Sequence, residues 1–113
     1  MNEGAQAEGI AAAFLAERGL KLIEKNYHCR FGEIDLILRD GRTLVFVEVR
    51  LRRNRDYGGA AASITPHKQG KLLRAARHYL QQLNGTPPCR FDVVLLSALE
   101  GIEPEWIRNA FGE

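Results

Sequence analysis

The chain of 113 residues predicts a single α/β domain, residues 1–113, in which helices flank a small mixed sheet in the order helix, three strands, helix, strand. Three observations carry that prediction. An apolar stripe at helical spacing opens the chain. An Asp40-Gly41 turn separates two segments of alternating polarity. A long stretch with a helix inside it, Leu51 to Arg90, precedes a short apolar run.

The first helix is expected over Asn2 to Arg18, where Ala7, Ile10, Ala11, Phe14 and Leu15 share one side and Gly19 supplies a stop. Leu20 to Asn26 reads as a first strand. From Phe31 the alternation is clear, with Ile34, Leu36 and Leu38 on one face. Asp40-Gly41 is a strong hairpin turn, and Thr43 to Leu51 alternates again through Val45, Val47 and Val49. Residues 53–63 read as a mobile, basic, Gly-rich loop. Thr65 then caps a helix that starts at Pro66, carries Leu72, Leu73, Ala76, Tyr79, Leu80 and Leu83, and stops at Asn84-Gly85. Phe91 to Leu96 reads as a strand buried on both faces, and the crossover from Leu51 to Arg90 makes it parallel to the third. Trp106, Ile107 and Phe111 in the tail read as a short segment covering the sheet.

Composition excludes several classes. Hydrophobic residues are 45% and charged residues 27%, the proportions of an ordinary globular chain and not of a disordered, collagen-like or coiled-coil one. No apolar run approaches a membrane span, and Met1-Asn2-Glu3-Gly4 is not a basic region leading into an apolar one, so a cytoplasmic protein without a secretory signal is expected. Cys29 and Cys89 show no metal-ligand spacing and read as small buried apolar residues. If each begins an antiparallel strand at opposite ends of the sheet, they form no disulfide. His28, His67 and His78 also lack ligand spacing.

The net charge of +2 hides a segregation. Arg50 to Arg77 holds eight basic residues and one acid, a net +7, which leaves −5 for the remainder. Twelve of the 16 basic residues are Arg, whose planar fork suits phosphate. A solvated basic face accounts for such a run equally well.

A hairpin that pairs Arg39 with Arg42 sets Leu36 against Val45, Asp35 against Phe46, Ile34 against Val47 and Glu33 against Glu48. One face is then wholly apolar, and the other gathers Glu33, Asp35 and Glu48 beside Arg50. Like charges in cross-strand reach cost roughly 0.2–1 kcal/mol per pair. A divalent cation, Mg²⁺ or Mn²⁺, would compensate. So would salt bridges from Arg50 or the first helix.

Asp35, followed after twelve residues by Glu48-Val49-Arg50, resembles the D…E-x-K signature of the PD-(D/E)xK nucleases. More closely, the chain resembles the YraN family, nuclease-like proteins related in fold to restriction endonucleases and Holliday-junction resolvases. The blocks that carry the resemblance are residues 32–37 (GEIDLI), 45–50 (VFVEVR), 57–63 (YGGAAAS), 90–94 (RFDVV) and 106–111 (WIRNAF), and it runs from about Gly4 to Phe111.

The resemblance implies a restriction-endonuclease-like domain and a Mg²⁺-dependent endonuclease that hydrolyses phosphodiester bonds in DNA, branched or structured DNA among its substrates. The alternative it leaves is a nucleic-acid-binding module on the same fold without catalysis. Asp35 and Glu48 would be the metal ligands, with the Val49 carbonyl as a third donor and Glu8 of the first helix completing the catalytic set. Glu33 would stand behind them or serve as a salt-bridge partner. Arg50 occupies the place of the usual Lys. It supplies positive charge but stays protonated, so it cannot act as a base. Lys68 and Lys71 could substitute, although phosphate contact is the simpler role for both. Arg52, Arg53, Arg55, Lys68, Lys71 and Arg74 form the expected nucleic-acid-binding rim, and Tyr57 could stack on a base. DNA is expected ahead of RNA as the partner. A homodimer follows by analogy with resolvases, since a junction offers two strands to cut.

Overall fold

The structure is a computed structural model and describes residues 3–51, 64–99, 101 and 103–112. Seven elements follow in order: α1 (Glu3–Glu17), β1 (Lys21–Cys29), β2 (Gly32–Asp40), β3 (Thr43–Leu51), α2 (Pro66–Leu80), β4 (Cys89–Leu96) and β5 (Glu105–Phe111). The strands form one mixed sheet in chain order, with β3 and β4 parallel and every other neighbouring pair antiparallel. The predicted class, a small mixed sheet with helices against it, is the observed one.

Gly19 ends α1 as predicted. At φ +94° it lets its own N–H reach Ala16 O at 3.1 Å and the Leu20 N–H reach Leu15 O at 3.1 Å, the paired bonds of a Schellman stop. Thr65 caps α2, its Oγ1 accepting from the Lys68 N–H at 3.1 Å, with Pro66 in the first turn where a missing N–H costs nothing. The helix ends at Leu80, earlier than Asn84-Gly85. Residues 81–85 continue only as turns.

Both faces of the central strands β2, β3 and β4 are buried. Ala7, Ala11 and Leu15 of α1 cover Leu36, Leu38, Val45, Val47, Val94 and Leu96. Leu72, Ala75, Ala76 and Tyr79 of α2 cover Ile37, Leu44, Phe46, Phe91, Val93 and Leu95. The expectation of one apolar and one acidic hairpin face is therefore corrected: Ile37 and Phe46 mark a second core on the other side.

The tail is a fifth strand and not a loose cover. Its anchor is Asp92, wholly buried in β4. The carboxylate accepts from Trp106 Nε1 at 2.9 Å, from the Asn109 backbone N–H at 2.9 Å and from Arg90 Nε at 3.1 Å. Between the pairs Phe91↔Phe111 and Val93↔Ile107, β5 spends three residues against the single Asp92 of β4, and the Asp92 side chain fills that bulge.

The cysteines also differ from expectation. Cys29 closes β1 while Cys89 opens β4, and Cys89 is exposed. Neither is in a disulfide. Among the described residues no helix is long and apolar enough to cross a membrane.

Candidate active site

The β2–β3 hairpin turns one residue later than the sequence suggests. Asp40 pairs with Thr43, so Gly41 and Arg42 form the loop, and Gly41 takes φ +60° at its first central position. That moves the register by two residues: Leu36 faces Val47, Ile37 faces Phe46 and Leu38 faces Val45. One residue beyond the last pair, Asp35 rather than Glu33 is the acid beside Glu48. Glu33 pairs instead with His28 across β1, Nδ1 to Oε2 at 3.2 Å, and both are exposed.

The pairing of β2 with β3 ends at Leu36↔Val47, although both strands continue. β2 stays with β1 as far as Gly32, and β3 stays with β4 as far as Leu51. The sheet forks at this point. Side-chain direction changes there too, since Leu36 packs on the α1 side and Ile34 on the α2 side, whereas regular alternation would keep them together. Across the fork the ladder is replaced by a side chain: Asp35 Oδ2 accepts from the Val49 N–H at 2.9 Å.

Glu48 is 5% exposed and its carboxylate faces α2. Its Oε2 lies 3.3 Å from Lys68 Nζ and 3.2 Å from Arg50 Nε. The Arg50 Nε is itself buried and not aligned for a hydrogen bond, so it is a donor still in want of an acceptor. Glu8 approaches from α1. Its side chain lies near Asn26 and within the field of Asp35 and Glu33.

The charges are held at a cost. Burial, and then the charge of Asp35, pushes Glu48 up to about 7, against the pull of Lys68 and Arg50. Burial also raises Asp35, offset in part by the Val49 N–H, the hydrogen bond with Glu48 and Lys68. Glu8 is raised by burial and by Asp35.

Buried Glu48 and half-buried Asp35 together form an oxygen donor set that suits a hard divalent cation, since Mg²⁺ binds through one or two carboxylates and keeps its waters. Val49, whose N–H holds Asp35, carries the third donor that the resemblance implies. Among the described residues no three His, Cys, Asp or Glu side chains converge as a ready-made cage. A cation would therefore take Asp35, Glu48 and water, with Glu8 further out.

Of the residues read from sequence, the structure brings Asp35, Glu48, Arg50, Lys68 and Glu8 to one place. Lys71 and Arg74 lie exposed along α2, with the Lys71 side chain over Gly32. Arg52, Arg53, Arg55, Tyr57 and the rest of the 53–63 loop lie outside the described residues. Asp92 was not singled out from sequence. It did leave a signal, because a lone acid inside a doubly buried apolar run needs partners to be tolerated.

Comparison with known proteins agrees with the sequence blocks. The family described as "Uncharacterised protein family UPF0102" matches residues 7–96. A UPF0102 protein of Nitrosospira multiformis is 64% identical over 109 residues, covering 96% of this chain and 92% of the relative. One from Nitrosomonas europaea is 61% identical over 112 residues, covering 99% and 95%. One from Psychromonas ingrahamii is 51% identical over 112 residues, covering 99% and 91%. With a family match over most of its length and relatives this similar end to end, the chain belongs to the UPF0102 family, the YraN family whose sequence blocks it carries.

Proposed function

We propose that the protein is a metal-dependent endonuclease that hydrolyses phosphodiester bonds in DNA, with branched or otherwise structured DNA as the substrate class. The observation that carries this reading is the pair Asp35–Glu48 at the fork of the sheet, Asp35 half-buried and Glu48 buried, with Lys68 and Arg50 set on Glu48. Two carboxylates kept together there are costly to folding and useful to a cation. A divalent cation bound there supplies a Lewis acid for the scissile phosphate and lowers the pKa of the attacking water.

The chain's own residues divide the remaining work. Arg50 Nε is a buried donor without a hydrogen-bond acceptor among the described residues, and a phosphate oxygen would satisfy it. Lys68 stands where the pair can be reached from α2. Its ammonium, paired with Glu48, adds a second positive charge beside the place of the phosphate. Lys71 and Arg74 continue the cationic edge along α2 and hold the polyanion. A homodimer that offers two such sites to two strands belongs to the same reading.

Arg50 in the usual lysine place favours a second reading, a nucleic-acid-binding module without catalysis. One experiment separates the two. Branched, flapped and single-stranded DNA are incubated with Mg²⁺ or Mn²⁺ and the wild type, Asp35→Asn, Glu48→Gln, Lys68→Ala and Arg50→Lys. Cleavage by the wild type that the first three variants lose, and that Arg50→Lys raises, supports the enzyme. Salt-sensitive binding with no cleavage by any of them supports the module.

A further inference from the structure

We infer that Phe31, with Arg30 laid on its ring, is a stacking platform for an unpaired base, so that the DNA this protein takes carries a single-stranded segment beside the cleaved bond. This rests on the nucleic-acid reading above and narrows its substrate class.

The five phenylalanines divide by what they touch. Phe46 and Phe91 are core residues, and Phe14 and Phe111 pack against a core. Among the described residues Phe31 joins neither core. It stands half-buried in the turn between β1 and β2, immediately before Gly32. A lone surface aromatic calls for no explanation. This one is held in place on two sides.

The Arg30 guanidinium lies over the ring, its central carbon 4.8 Å from the centroid. The His78 ring of α2 meets Phe31 edge-on, with centroids 6.0 Å apart and planes at 63°. His78 is itself fixed from the core. Gln82 Nε2 donates to the buried Tyr27 hydroxyl at 3.0 Å. The hydroxyl keeps its own hydrogen for His78 Nδ1, to which it is hydrogen-bonded. A chain of contacts thus orients a ring that the core does not use, and a ring oriented in advance costs less to bind.

The surroundings suit a polyanion that passes the turn. The Lys71 stem lies across it: a Cβ at Gly32 would meet Lys71 Cβ and Cε at 3.9 Å. Arg30, Lys71 and Arg74 are exposed, while Glu33, the next acid in β2, is paired with His28 at 3.2 Å. Along α2, Lys68 on Glu48 and His78 at Phe31 are separated by about 15 Å of helix. A strand whose phosphates follow Lys68 and Lys71 would run from the carboxylate pair to the ring. A base inside a duplex has both faces stacked already, so an unpaired one is what Phe31 can take. Stacking on an aromatic ring or a guanidinium plane tolerates every base, because each has a π-face. The platform therefore selects structure and not sequence.

The test is fluorescence anisotropy of labelled DNA without divalent cation, so that nothing is cut. Wild type, Phe31→Leu and Phe31→Trp are titrated against a duplex with a single-stranded flank and against a blunt duplex. Phe31→Leu should weaken binding of the flanked DNA about tenfold, within the range of one lost base–aromatic stack. It should leave the blunt duplex and the salt slope unchanged, since it removes no phosphate contact. Phe31→Trp should bind as the wild type does or tighter. Single abasic sites are then moved through the flank. One position should cost the wild type the same tenfold and cost Phe31→Leu nothing, a coupling that a general loss of folding does not imitate. Equal losses on both DNAs, or abasic losses that add to that of Phe31→Leu at every position, would overturn the inference while the nuclease reading stands. A wild type that binds neither DNA would remove the nucleic-acid reading and the platform with it.

Discussion

At the scale of single residues the energetics centre on Glu48. Its ordinary carboxyl value is 4.5, and burial beside Asp35 lifts it to about 7. The folded, metal-free protein therefore binds this proton more tightly than the unfolded chain does. Its contribution to stability is complete below pH 4.5 and is lost as pH rises through 7. In EDTA, urea unfolding between pH 5 and 8 should show the wild type losing more stability than Glu48→Gln, by on the order of 1–3 kcal/mol. Equal losses would contradict the assignment. The same proton competes with a cation, so Mg²⁺ affinity should climb over that pH range and level off above it. Asp35→Asn keeps an oxygen for the Val49 N–H and removes one of two like charges. It should abolish Mg²⁺ binding yet stabilise the metal-free protein at pH 8 by about 1 kcal/mol, since sites built for a ligand carry strain without it.

At the scale of elements, two contacts decide whether the site is presented correctly. The Thr65 cap fixes the first turn of α2, which carries Lys68. Thr65→Ala should cost about 1 kcal/mol in urea unfolding, as lost N-caps do. Asp92 ties β5 to the sheet through Trp106, Asn109 and Arg90, and Arg90 also reaches Asp40 at 3.0 Å beside the hairpin turn. Removing one member of a buried charged network strands its partners, so Asp92→Ala should cost about 3–5 kcal/mol. Amide exchange should then show β5 opening before the other strands. Uniform protection of β5 in that variant would mean that packing of Trp106 and Phe111 holds the strand instead.

At the scale of the whole molecule, the charge is sorted along the chain rather than balanced locally. The +7 segment begins at Arg50, at the fork, and includes the exposed Lys71 and Arg74 on α2. The −5 remainder contributes Glu8, Asp35 and Glu48 to the same place. A polyanion bound along the basic side should show strongly salt-dependent affinity. Lys71→Ala and Arg74→Ala should each lower the log–log salt slope by about one, measured by fluorescence anisotropy on labelled DNA. A slope that neither variant moves would place the bound phosphates elsewhere.

Much of this was legible from sequence because it depends on near neighbours. The periodicity of α1 and α2, the Gly19 stop, the Thr65-Pro66 start and the hairpin are properties of a few adjacent residues. The parallel run of β4 beside β3 follows from the length of the crossover. Asp35, Glu48, Arg50 and Lys68 were named from the charge pattern together with the family resemblance. Tertiary structure decided how they meet. Gly41 accepts a left-handed φ at the first loop position, which shifts the register by two, replaces Glu33 with Asp35 beside Glu48 and gives Glu33 to His28. A two-residue shift leaves the alternation of faces intact, so hydrophobic pattern alone cannot detect it. The fork at Leu36↔Val47 and the approach of Glu8 and Lys68 from opposite helices depend on groups far apart in the chain. Local chemistry determined the elements and the candidate acids. The packing of α1 and α2 on opposite faces of a splitting sheet brought those acids together.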